Sequence, residues 1–176
     1  MSTQEFRIAK LLRNVFDTTG VRLSLGTVES ATGGRIADKI TNVPGISDFY
    51  KGSIIAYSNE VKSEVVGVNQ QTLSSKGAVS HKTAVEMAES GRTLLNVHIC
   101  LSDTGIAGPS GGTKNKPVGL FYIGISTYDG ILTATKFGFS GSRYKNKNAA
   151  VQSALMMLEK YLLDKIAKIQ RGADAR

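Results

Sequence analysis

Between Phe6 and Ile169 the apolar residues switch repeatedly between helical spacing and strand-like runs. That alternation confines the chain to an α/β arrangement. Phe6, Ile8, Leu11, Leu12, Val15 and Phe16 form the stripe of a first helix, which Gly20 ends. Residues 21–28 read as a strand, 34–40 as a short helix closed by Asn42 and Pro44, and 52–57 as a second strand. A helix capped by Ser58-Asn59 runs to Val66, and another helical piece covers 70–75. Residues 81–95 form a longer helix with Ala84, Met87, Ala88 and Leu94 inward. Residues 97–102 read as a buried strand and 105–117 as a glycine-rich loop. Two more strands, 118–128 and 131–139, flank Asp129-Gly130, a strong hairpin signal. The last helix, 144–169, carries Val151, Leu155, Leu158, Leu162 and Ile166 on one face, leaving 170–176 as a frayed tail. No linker or repeat divides the 176 residues. The expected architecture is one three-layer α/β/α domain over residues 1–169, its mixed sheet mostly parallel with one antiparallel hairpin.

Composition narrows the function classes. The apolar content of 41% without a long uncharged apolar run points to a soluble globular protein and away from a membrane. The opening residues mix charges with apolar residues and have no continuous apolar core, so they read as neither signal peptide nor anchor. Cys100, the only cysteine, permits no internal disulfide, and a cytoplasmic location is expected. The net charge of +8 is uneven: nine Lys or Arg against three acids between Lys136 and Arg176 give that quarter +6. Such a segment serves a phosphate-bearing molecule, a nucleic acid or a solvated helix face. The aromatic residues within it follow core periodicity, which makes nucleic acid a poor fit.

The chemistry is concentrated at the turn Glu29-Ser30-Ala31-Thr32-Gly33-Gly34, where a strand breaks at an acid and a hydroxyl before a helical pattern. A serine at such a turn is exposed beside unpaired helix amides, which can hold an oxyanion. Its alternative reading is a helix cap. Lys62 falls in the first turn after the Asn59 cap, where the helix dipole and partial burial both disfavour an ammonium. Moving a lysine from about 10.4 to about 7.5 costs roughly 4 kcal/mol, within reach of a built site. A neutral lysine can take the proton of a serine hydroxyl; the alternative is an exposed helix lysine. The loop from Asp103 to Gly112 matches neither a Walker A nor a dinucleotide-binding pattern. Glu29 and Asp103 could pair at neighbouring strand ends or cap turns. His81 and His98 lack metal-ligand spacing, so no metal is expected. Strand alternation gives no reason for Ser30, His98 and Asp103 to meet.

Six ordered motifs resemble those of the CinA C-terminal domain. They are Glu29 to Gly34; Tyr57-Ser58-Asn59 with Lys62; Gly77-Ala78-Val79-Ser80; Thr104 to Pro109 with Gly111-Gly112; Lys116-Pro117-Val118-Gly119; and Phe139-Ser140-Gly141-Ser142-Arg143. Stand-alone members of that family are nicotinamide mononucleotide (NMN) amidohydrolases of the PncC type. The resemblance implies a three-layer fold and deamidation of NMN to the nicotinic acid nucleotide without cofactor or metal. It assigns Ser30 as nucleophile, Lys62 as its base and Tyr57 as a partner that orients or relays the proton. It places Ala31, Thr32, Gly33, Ser58, Asn59, Thr104, Gly105, Ala107, Gly108 and Arg143 at the substrate. Many family members carry Cys at the position of Ala31 and Asp at that of Ser142, so the orientation of Arg143 is in question. Longer relatives carry a preceding nucleotide-hydrolase-like domain, whose pyrophosphatase activity is not expected here. The competing reading is a non-catalytic module that binds a phosphorylated nucleotide or nucleic acid. A homo-oligomer is expected from the long amphipathic C-terminal helix and the hairpin edge.

Overall fold

In the computed structural model, which describes residues 3–174, five strands form one sheet in the order β2-β1-β3-β4-β5. They are β1 (Leu25–Glu29), β2 (Tyr50–Ile55), β3 (Ile99–Gly105), β4 (Leu120–Thr127) and β5 (Leu132–Gly138). β1 pairs in parallel with β2 and β3, whereas β4 runs antiparallel to both β3 and β5. The Asp129-Gly130 hairpin therefore has a second antiparallel pairing on its inner side. Helices α1 (Gln4–Thr19), α2 (Arg35–Thr41) and α5 (Arg143–Asp174) cover one face, and α3 (Gln70–Lys76) and α4 (His81–Leu94) lie on the other.

Strand alternation sorts the core into two parts. Leu25, Ile99, Leu101, Phe121 and Ile123 pack with Ile8, Leu12, Val15, Leu155 and Leu158 beneath α1 and α5. Val28 and Cys100 point the other way, into a smaller cluster with Ala56, Val66 and Met87. Phe6 and Leu94, expected inward, are exposed: Glu5 and Ile8 on α1, and Gly91 and Leu95 beside Leu94, take the inward positions, so these two side chains fall on the outer side of their helices.

Several boundaries differ from expectation. β1 begins at Leu25, and the preceding Arg22 instead stacks over Phe16. β3 continues past Ser102 through Asp103 and Thr104 to Gly105, which pairs with Phe121. Polar residues persist there because their side chains find partners: Ser102 donates to the Ala84 carbonyl and Thr104 to that of Ala78. Residues 61–66 wind as a π-helical turn, and 46–48 form a 3-10 turn that periodicity did not suggest. α5 runs to Asp174 rather than fraying at 170, and residues 175–176 lie outside the described part. Among the described residues no helix is long and apolar enough to cross a membrane.

Candidate active site

The carboxyl ends of β1, β2 and β3 adjoin, and the turn after β1 is built there from residues upward. Gly33 and Gly34 take φ of 64° and 90°, left-handed conformations that side-chain-bearing residues resist. These two glycines reverse the chain between β1 and α2. Because Gly34 caps α2 and has no side chain, a remote acid does the capping. Glu29 accepts from the amides of Ile36 (3.0 Å) and Ala37 (2.8 Å). The carboxyl of Asp103, at the end of the neighbouring strand, accepts from the amides of Ser30 (3.0 Å) and Thr32 (3.1 Å). Thr32 Oγ1 bridges the two acids, 2.7 Å from Glu29 Oε2 and in short contact with Asp103 Oδ1. Glu29, Thr32 and Asp103 are all fully buried.

Ser30 is not exposed as the sequence suggested; it is 7% accessible. Its hydroxyl accepts from Lys62 Nζ at 2.8 Å, and the same nitrogen donates to the Ala56 carbonyl at 2.8 Å. Lys62 is itself buried, on the π-helical turn. Ser58 supports that turn by accepting from the Val61 amide at 3.3 Å. Burial pushes the Lys62 ammonium below its ordinary value, opposed by the nearby charge of Asp103. The lysine thus has the environment of a base rather than of a surface cation.

The amides expected to be free divide into two groups. Those of Ser30 and Thr32 are taken by Asp103. Those of Ala31 and Gly33 make no hydrogen bond among the described residues, and Ala31 directly follows Ser30, which makes its amide the oxyanion donor the turn can offer.

Above the turn, Arg143 donates to the Tyr57 phenol oxygen and to the Gly108 carbonyl, each at 2.8 Å. These two contacts orient the guanidinium without the neighbouring acid that Ser142 replaces. Ser142 instead stands at the start of α5, its hydroxyl accepting from the Lys145 amide at 3.4 Å and its carbonyl from the Asn146 amide at 2.8 Å. A cavity of about 230 Å³ is lined by Ser30, Ala31, Tyr57, Asn59, Lys62, Thr104, Gly105, Ala107 and Arg143, with Ala78 and Val79. A larger hollow of about 330 Å³ between α2 and α5, with Arg35, Lys39 and Tyr144, is lined by neither serine nor cysteine.

Most sequence-predicted residues converge on the smaller cavity. Thr32 lies beneath its wall, Ser58 and Gly33 lie outside the lining, and Gly108 contributes its carbonyl to Arg143. His98 sits before β3, at the far end from Ser30, with Nδ1 accepting from the Ser24 amide at 3.1 Å. Two residues escaped the sequence reading. Asn146, buried at the start of α5, bonds the Ala107 carbonyl and the Gly141 amide, tying the glycine loop to the helix. Lys147 Nζ would stand 3.4 Å from a Cβ at Gly33. Burial, then Arg35 and Arg143, hold its ammonium below the usual value. Asp103, read from the sequence as a possible partner of Glu29 or a turn cap, meets Glu29 through the Thr32 hydroxyl and also caps the Ser30 turn. No spacing rule links these positions to Ser30, since only the fold brings α5 and β3 to it.

The profile of the CinA C-terminal domain matches residues 8–162. The chain belongs to the CinA C-terminal domain family. A competence-damage inducible protein named from Halothermothrix orenii is 50% identical over 81% of the chain. A CinA-like protein from Kosmotoga olearia is 44% identical over 90% of it. The chain spans about a third of the length of these curated relatives, 34% and 38% respectively. Among solved structures, the CinA-fold protein CihA from Agrobacterium tumefaciens superposes with a TM-score of 0.79 at 34% identity, covering 90% of this chain and 97% of that one. A CinA superfamily protein from Klebsiella pneumoniae gives 0.82 at 26% identity, covering 93% and 99%.

Proposed function

We propose that this CinA-family domain is an amidohydrolase that deamidates nicotinamide mononucleotide through an acyl-serine intermediate. The contact that carries the reading is Lys62 Nζ at 2.8 Å from Ser30 Oγ, both buried in the wall of one cavity. An uncharged Lys62 has two N–H groups and one lone pair. One N–H serves the Ala56 carbonyl, which aims the lone pair at the serine hydroxyl.

Ser30 Oγ bonds to the carboxamide carbon as its proton passes to Lys62. The carbonyl oxygen, now an anion, faces the amide of Ala31, such a donor being worth about 3–4 kcal/mol. The C–N bond breaks, Lys62 returns the proton to the leaving nitrogen, and ammonia departs. Water then adds to the ester with Lys62 again as base, releasing the carboxylic acid and restoring Ser30. Tyr57, held by Arg143, borders the reacting centre and orients the ring or relays the proton. Neither a metal nor a cofactor takes part in this scheme.

The basic residues Arg143, Lys147 and Arg35 support a substrate that carries a phosphate. Lys147→Met should raise KM for the mononucleotide while leaving the dephosphorylated nucleoside unaffected; an equal loss for both removes the phosphate assignment. The deciding assay is ammonia release from NMN without added metal, comparing wild type with Ser30→Ala. Tight NMN binding without turnover in wild type would turn the reading to a nucleotide-binding module. A cytoplasmic homo-oligomer fits the reading, with Met156 and Leu163 exposed seven residues apart along α5; sedimentation equilibrium tests the assembly.

A further inference from the structure

The acids beneath the Ser30 turn present a counting problem. The Thr32 hydroxyl has one proton to donate, yet it contacts both Glu29 Oε2 and Asp103 Oδ1. Two carboxylates cannot both accept from it, and without a proton between them the second contact is anion against lone pair. All three side chains are fully buried, and neither acid has an ion-pair partner among the described residues.

We propose that Glu29 and Asp103 share one proton across the Thr32 hydroxyl, that Asp103 carries it, and that this neutral carboxyl is the positioning group of the Ser30–Lys62 pair. The order of the chain follows from the other contacts. Both oxygens of Glu29 accept amides from the first turn of α2, so Glu29 meets Thr32 as an acceptor. Asp103 therefore donates to Thr32 Oγ1, and Thr32 donates to Glu29. Asp103 still accepts from the amides of Ser30 and Thr32 through its remaining lone pairs.

The groups facing Asp103 are Glu29 from β1, Lys62 from the π-helical turn and Lys147 from α5. Burial raises its carboxyl to about 6 even with Thr32 counted as a donor to it. Committing that hydroxyl proton to Glu29 removes a stabiliser of the Asp103 anion. An ionised Asp103 would hold a proton on Lys62, whereas a neutral one leaves the lysine free to act as a base. Only this last consequence rests on the amidohydrolase reading.

Infrared spectra of wild type at about pH 7.5, where exposed carboxyls are ionised and Lys62 would have to work as a base, test the proton directly. The expected signal is a protonated-carboxyl C=O band that moves on ¹³C labelling of aspartate side chains and is lost in Asp103→Asn. No such band, or one that moves only on glutamate labelling, overturns the proposal. Labelled wild type needs no variant to fold, and the signal needs no turnover, so this arm stands even if the amidase reading fails. In a turning-over enzyme, Asp103→Asn should leave the Lys62 limb of the pH–rate profile in place, since no charge is removed. A limb displaced toward acid by about one pH unit or more overturns it.

Discussion

Lys62 reaches Ser30 across 2.8 Å although thirty-two positions separate them in the chain. The contact is made at the junction of two structural layers, since Ser30 ends a strand of the sheet and Lys62 lies in the layer that covers it. Truncating either side chain removes one partner of a buried pair and leaves the backbone in place. Ser30→Ala should lower ammonia release from NMN by about 10⁴-fold or more while the circular dichroism spectrum and NMN affinity persist. Full activity in that variant would falsify the covalent-serine mechanism. Lys62→Met should do comparable damage to kcat.

The lysine also sets two pH dependences. Because burial lowers its pKa, wild-type kcat should climb as pH rises through the depressed value and then level off. A profile flat between about pH 6 and 9 argues against this base. Stability changes in the same sense. Between the lowered folded value and about 10.4 the unfolded chain binds more protons, so wild type gains stability as pH rises. Chemical denaturation of wild type beside Lys62→Met should show the difference widening from alkaline toward neutral pH.

Asp103 has the opposite sign. Its folded value is raised to about 6 even with Thr32 donating to it, and committing that proton to Glu29 carries it higher, so the folded state binds more protons and stability falls as pH rises from about 4 through the raised value. A rise from about 4 to about 6 alone amounts to roughly 3 kcal/mol. Denaturant midpoints measured across this pH range should fall with pH in wild type relative to Asp103→Asn. Parallel curves would remove the raised carboxyl from the account.

Arg143 is the only side chain hydrogen-bonded to Tyr57 among the described residues. Tyr57→Phe should leave the arginine held by the Gly108 carbonyl alone and raise KM several-fold. Arg143→Lys, which cannot reach both acceptors as a planar fork does, should do more harm than Tyr57→Phe. Steady-state kinetics on both variants orders the two contacts.

A fifth expectation concerns packing. A Cβ on Gly105 would lie 2.4 Å from the Phe121 ring, on the strand that carries Asp103 and Thr104. Gly105→Ala should cost about 1–3 kcal/mol, measured by thermal unfolding, and should lower kcat by shifting Thr104.

The sequence carried the alternation of elements because buried strands and amphipathic helices leave different apolar periods. It also carried the two glycines after Ser30, whose left-handed geometry is a local property. The polar end of β3 was missed, because Ser102, Asp103 and Thr104 satisfy their side chains with groups from distant segments. The π winding of 61–66 was missed because its apolar residues suit an ordinary turn equally well. Lys147 and Asn146 looked like unremarkable polar positions on α5, and only the docking of that helix on α2 and the glycine loop gives them a task. Phe6 and Leu94 illustrate the converse, apolar residues that fit a helical stripe in sequence while the packed side of the helix is taken by their neighbours Glu5 and Leu95.

The π-helical turn also limits which lengths of chain this site can accept. Each residue of a helix turns its neighbours by roughly 80–100°, least in the wider π winding, so deleting Val61 would swing Lys62 away from Ser30 and out of the cavity. Residues 109–115 are exposed throughout and border the site only through their stem. Insertions should therefore be absorbed by the glycine loop and rejected between Tyr57 and Gly67, two neighbouring connections with opposite tolerance for added length.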